Sequence, residues 1–184
     1  MTKSMTGSFY LTESVALTAG TASGISSQAS IDLSAYVNVP TGQAIAIESV
    51  DFIVQRDNPY GQDLKSYLGA NGSVSMQLTD LNPGTLMVRA DNQSLVASGA
   101  LNIDIANNIG SETTDFYPDN FGPASLSEAF LVVNDALYLN GMPAGGPIGV
   151  SDLWVTARIR CRVVKLSTSD WMAIAIQSTA SDTV

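Results

Sequence analysis

The chain has 184 residues, 45% of them apolar, which is enough to bury a sizeable core in one domain spanning 1–184. Thirteen Asp and four Glu against three Lys and five Arg give a formal net charge of −9, the wrong sign for a free-standing nucleic-acid binder. One Cys and no His exclude an internal disulfide framework, a Ser-His-Asp triad, a Cys-His dyad and a His-based zinc site within one chain.

The N-terminal stretch "MTKSMTGSFYLTES" has no apolar run after its Lys, so the chain is expected to fold where it is made. No apolar run approaches the roughly 20 residues that span a bilayer. From there the dominant period is two. In "SFYLTESVALT", Phe9, Leu11, Val15 and Leu17 alternate with Ser8, Tyr10, Thr12, Ser14 and Ala16. In "ASIDLSAYV", Ile31, Leu33, Ala35 and Val37 face one way and Ser30, Asp32, Ser34 and Tyr36 the other. "QAIAIESVDFIVQ" alternates, then slips phase between Ile47 and Val50, which predicts a bulge or a change of face. "SVSMQLT", "ALNIDIA", "FLVVNDALYLNG" and "VTARIRCRVVKL" follow the same rule. Each reads as a strand with one face on a core.

Turn-formers separate these segments: Gly20 to Gly24, Pro40-Thr41-Gly42, Asp57 to Gly61, Asn71-Gly72, Asn82-Pro83-Gly84, and Gly141 to Gly149. Such spacing predicts an all-β sandwich or barrel of about eight strands. "DNQSLVASG" has the composition of one helical turn. "STSDWMAIAIQST" admits a strand, but Ser167 or Ser169 as N-cap and Asp170 in the first turn favour a short C-terminal helix. Asn107 to Glu128 reads as a long loop whose Phe116, Tyr117 and Phe121 pack down on the barrel or on a neighbouring subunit.

Half of the positive charge sits in Arg158, Arg160, Arg162 and Lys165. On a strand the three arginines share one face, while Val155, Ala157, Ile159, Cys161 and Val163 share the core face. Cys161 is therefore expected as a buried apolar thiol, with an intersubunit disulfide as the sharper alternative. Three arginines about 7 Å apart repel and need anions. These are supplied either by the chain's own carboxylates, with Asp32, Glu48 and Asp51 the candidates, or by an acidic neighbour such as another copy. The Asp-rich stretches "RDNPYGQD" and "DFYPDN" have oxygen ligands but no EF-hand spacing, and turn chemistry explains them without a metal. Asn71-Gly72-Ser73 and Asn92-Gln93-Ser94 match the glycosylation pattern, and with no export signal expected they are read as chance matches. Trp154 and Trp171 are expected at the core edge with their N–H groups satisfied. No metal, cofactor or catalytic set is expected.

About eight strands in one domain, with no catalytic set and many small polar residues on strand faces, describe a single jelly roll. The size, the acidity, the Asp-over-Glu bias and a final strand followed by a short helix resemble the small major capsid protein of icosahedral, internal-membrane viruses of halophilic archaea, the sphaerolipovirus type. The resemblance spans the whole chain as a pattern and has no signature motif. It implies an upright single barrel that stands on a lipid membrane, packs with copies of itself and with a second, larger capsid protein, and makes no direct contact with nucleic acid. It places the protein in the virion after synthesis in the host cytoplasm. Arg158, Arg160, Arg162, Phe116, Tyr117 and Phe121 would then be subunit contacts. The other reading of the residues is a non-catalytic β-sandwich module that binds a glycan or a protein ligand.

Overall fold

Alternation of apolar and small polar residues drives the chain into strands that bury one face each, and the computed structural model describes residues 3–58, 63–114 and 129–180. The strands are β1 (Lys3–Ser4), β2 (Phe9–Leu17), β3 (Ser27–Asp32), β4 (Gln43–Gln55), β5 (Gly72–Thr79), β6 (Leu95–Asp104), β7 (Ile109–Thr114), β8 (Phe130–Val132), β9 (Ala136–Ala144) and β10 (Leu153–Lys165). One helix, α1 (Thr168–Ala180), follows them.

All pairings are antiparallel. In the first sheet β10 lies between β4 and the strands β1 and β2, and β8 closes the far side of β4. The second sheet runs β3-β9-β5-β6-β7. The pairs β2 with β10, β3 with β9, β4 with β8 and β5 with β6 are nested, first with last and inward. One long antiparallel ribbon rolled on itself gives this order, which is the double Greek key of a jelly roll. Strand β7 is an addition at the edge of the second sheet. The facing sides interleave Val15, Ile47, Val155 and Ile159 from the first sheet with Ile31, Met76, Leu78 and Leu139 from the second.

The phase slip in β4 is a bulge at Glu48. Arg160 pairs with Ser49 and the next residue, Cys161, pairs with Ile47, so Glu48 is the extra residue. Ile47 and Val50, three apart, thus both reach the core. Helix α1 covers part of the outer face of the first sheet. Trp171, Ile174 and Ala175 pack over Ala44, Ala46 and Val164, with Leu131 and Val133 beside them. The small Ala44 and Ala46 leave room for the helix. Ser167 caps it: its Oγ accepts the Asp170 N–H at 3.2 Å and donates to the Asp170 carboxylate at 2.7 Å.

Several expected boundaries move. "ASIDLSAYV" is strand only to Asp32, whose Oδ1 accepts the Ser34 N–H at 2.8 Å. That local bond turns the chain and takes Leu33 to Val37 out of the ladder. "FLVVNDALYLNG" is two strands, β8 and β9, broken at Val133 to Asp135. "DNQSLVASG" is a turn held by Asn92 Oδ1, which accepts from Ser94 N–H and Oγ–H, and then strand β6 from Leu95. The stretch read as a loop from Asn107 begins with β7, whose residues pair along β6. The segment between β5 and β6 folds back over the second sheet, where Gln77 Oε1 accepts the Val88 N–H at 2.9 Å and Gln77 Nε2 donates to the Val88 carbonyl at 2.7 Å.

Candidate subunit-contact face

Strand β10 sets Val155, Ala157, Ile159, Cys161 and Val163 into the core and turns Arg158, Arg160 and Arg162 to the outer face of the first sheet. The β4 bulge places Glu48 among them. Its Oε2 accepts from Arg160 Nε at 3.0 Å and from Ser8 Oγ at 2.9 Å, and its Oε1 pairs with Arg162. The Glu48 side chain is 4% exposed, that of Arg162 23% and that of Arg160 43%. The carboxylate therefore sits at the bottom of the cluster, and burial without these cations would be prohibitive. Of the three carboxylates weighed, Glu48 is the partner. Asp32 lies in the other sheet, where the Ser34 side chain and backbone hold its carboxyl below the usual value. Asp51 stands in register with Arg158.

Arg158 is held differently. It is exposed, with its guanidinium 5.4 Å from the centre of the Tyr10 ring, itself 56% exposed. The face thus carries Arg158, Tyr10 and the outer part of Arg160, with Thr12 and Asp51 beside Arg158 in register. Lys3 and Lys165 are Cα partners at the lower end of the same sheet, so five of the chain's eight cations lie along it. Sequence reasoning gave the arginine stripe but missed Ser8 and Tyr10. The signal for both was the β2–β10 pairing, which no local pattern contains.

Cys161 is fully buried, and burial pushes its thiol up to about 12. A core thiol in the middle of β10 is not placed for a disulfide between subunits. Trp154 departs from expectation: it stands on the outer face of the first sheet, 41% exposed. Trp171 is at the core edge, on the face of α1 that packs against the first sheet, but its buried Nε1–H has no hydrogen-bond partner among the described residues. Phe116, Tyr117 and Phe121 lie outside the described residues, as does "DFYPDN". Among the described residues no three carboxylate or thiol side chains converge as a metal site, and no helix is long and apolar enough to cross a membrane.

No protein-family model matches the chain, and no characterised protein sequence matches it. Among solved structures it is similar to VP1 of Merkel cell polyomavirus as an unassembled pentamer, at 13% identity and a TM-score of 0.44, over 90% of this chain and 99% of that one. It is similar to VP1 of trichodysplasia spinulosa-associated polyomavirus at 13% identity and a TM-score of 0.44, over 89% of this chain and 98% of that one. A further Merkel cell polyomavirus VP1 structure, in complex with 3'-sialyllactosamine, matches at 10% identity and a TM-score of 0.44, over 90% and 98% of the two chains. The jelly-roll assignment rests on the strand pairings and not on these likenesses.

Proposed function

We propose that the protein is a structural capsid subunit, a jelly roll that packs side by side with copies of itself and performs no catalysis. The observation that carries this reading is the Arg158–Tyr10 face: an exposed arginine and an exposed aromatic on the outer face of a sheet, in a chain whose net charge is otherwise strongly negative. Exposed Arg and Tyr are the residue types that anchor protein interfaces, and an acidic surface on the next copy complements them. Contact through the face is favoured over contact through the β2 edge. Glu13 on β2 is opposite Ala157, on the core side of the sheet, and an inward-pointing charge on an edge strand opposes addition of a further strand.

The finer picture rests on the resemblance to the sphaerolipovirus-type small capsid protein, and the acidity is in keeping with it. With Asp far above Glu and Lys scarce, the surface suits concentrated salt, in which charge repulsion is screened. The subunit then belongs to the virion of an icosahedral virus of a halophilic archaeon, made in the host cytoplasm. A second, larger capsid protein shares the capsomer, and the shell surrounds an internal membrane. With a membrane between shell and genome, the shell needs no basic arm and no direct contact with nucleic acid. Arg160 and Arg162, bound to Glu48, fix the face, while Arg158 is free to reach the partner; Phe116, Tyr117 and Phe121 add loop contacts.

Sedimentation velocity on the wild type and on Arg158→Glu tests the face. Arg158 lies over Tyr10, while Glu48 is paired with Arg160 and Arg162, so the substitution leaves the Glu48 cluster whole. Reversal of charge is expected to weaken association by about tenfold or more with an unchanged far-ultraviolet spectrum. Equal association of the two proteins would remove this face from the contact.

A further inference from the structure

Beyond assembly, the upper end of the same sheet holds a pocket built like a sugar subsite. Six residues line a cavity of about 350 Å3: Ser14, Gln55, Asp57, Asn58, Trp154 and Thr156. That volume is at the lower end of small-molecule sites, roughly 300–1,000 Å3. The floor is the outer face of β10 and β2, where the hydroxyls of Ser14 and Thr156 lie 2.7 Å apart. Trp154 forms one side. Its register neighbours are Ala16, too small to cover an indole, and Gln55. The other side is the turn after β4, where Asp57 takes a φ of 55°, a left-handed conformation that Asp tolerates. This turn brings Asp57 and Asn58 over the end of the strand. Gln55 Nε2 donates to the Asn58 carbonyl at 3.2 Å, which fixes the turn and leaves the amide's carbonyl oxygen and second N–H for a ligand.

We infer that this pocket binds a neutral hexopyranose residue. A pyranose presents a face of axial C–H groups, which suits an exposed indole, and a rim of hydroxyls. Neighbouring hydroxyls donate well to one planar carboxylate and exchange hydrogen bonds with carboxamides. Trp154 supplies the platform, Asp57 the carboxylate, and Gln55 and Asn58 the amides. Asp57 and the net charge of −9 select against an anionic sugar. The site lies on β10 four residues before Arg158, and its occupancy does not require assembly.

The test is saturation-transfer NMR on dispersed protein, with methyl β-D-glucopyranoside, methyl β-D-galactopyranoside and 3'-sialyllactose as probes. Saturation of at least one neutral glycoside, strongest at its axial ring protons, is expected with a millimolar Kd. Trp154→Ala should weaken it about tenfold, and Asp57→Asn, an isosteric change in an exposed turn, about threefold to tenfold. Trp154→Phe should retain part of the binding. No transfer to either neutral glycoside, or transfer unchanged in both Trp154→Ala and Asp57→Asn, overturns the site. Stronger transfer to 3'-sialyllactose overturns the neutral-sugar assignment. Because the readout is on dispersed protein, failure here leaves the capsid reading standing, and failure of assembly leaves this site standing.

Discussion

Glu48 is the residue on which the outer face of the first sheet depends. It is a buried carboxylate between two guanidinium groups, and removing one partner from such a cluster costs more than the cluster itself contributes. Glu48→Gln leaves Arg160 and Arg162 facing an amide, and a loss of about 2–4 kcal/mol in urea unfolding is expected, below the fully buried case because Arg160 is partly solvated. A loss under about 1 kcal/mol would show that solvent already compensates the arginines. Cys161 gives a pH signature. Its ordinary value is 9.0 and burial raises it to about 12, so between those values the folded thiol keeps a proton that the unfolded one has lost. The folded state then binds more protons, and stability falls as pH rises through that window. The difference in stability between wild type and Cys161→Ala should shrink from pH 8 to pH 11, as read by urea unfolding at each pH. The arginine and cysteine faces were legible from period two alone. That Glu48 rather than Asp51 is the anion was not, since it depends on which residue the bulge leaves over.

At the scale of elements, alternation located seven segments, and all seven contain strands close to where it put them. It also flagged the phase slip in β4 as a bulge or a change of face, and the strand register makes it a bulge. It failed where a side chain out-competed the ladder. Asp32 ended β3 early, and Asn92 made a turn in place of helix, each by bonding its own backbone two residues on. β7 was missed because "IGSETT" has a single large apolar residue, and its strand state comes from the edge of β6. Close approach between backbones decides several glycines, Gly72 among them. A Cβ on Gly72 would overlap the Ala144 carbonyl oxygen and the Gly146 nitrogen, both backbone atoms that cannot swing away. Gly72→Ala is expected to cost about 3 kcal/mol or more, seen as a large drop in Tm; an unchanged Tm would mean that the β9 end relaxes freely.

At the scale of the whole molecule, the nested pairing of β2 to β10 makes most stabilising contacts long-range, and it sets residues from both ends of the chain side by side, Tyr10 beside Arg158 and Ser8 beside Glu48. Such pairings follow from topology, so the sequence yielded the sandwich class while the contact face and the Trp154 pocket had to wait for the strand order. The fold itself is compatible with many roles; what favours a shell subunit is the placement of cations and an aromatic on one outer sheet face of an acidic chain. The central claim is that the chain associates with itself. Light scattering from dilute buffer to molar NaCl tests it most directly. Growth from small species into oligomers of defined size as salt screens the net charge of −9 is the predicted result. A folded monomer at every salt concentration would contradict self-assembly by this chain alone.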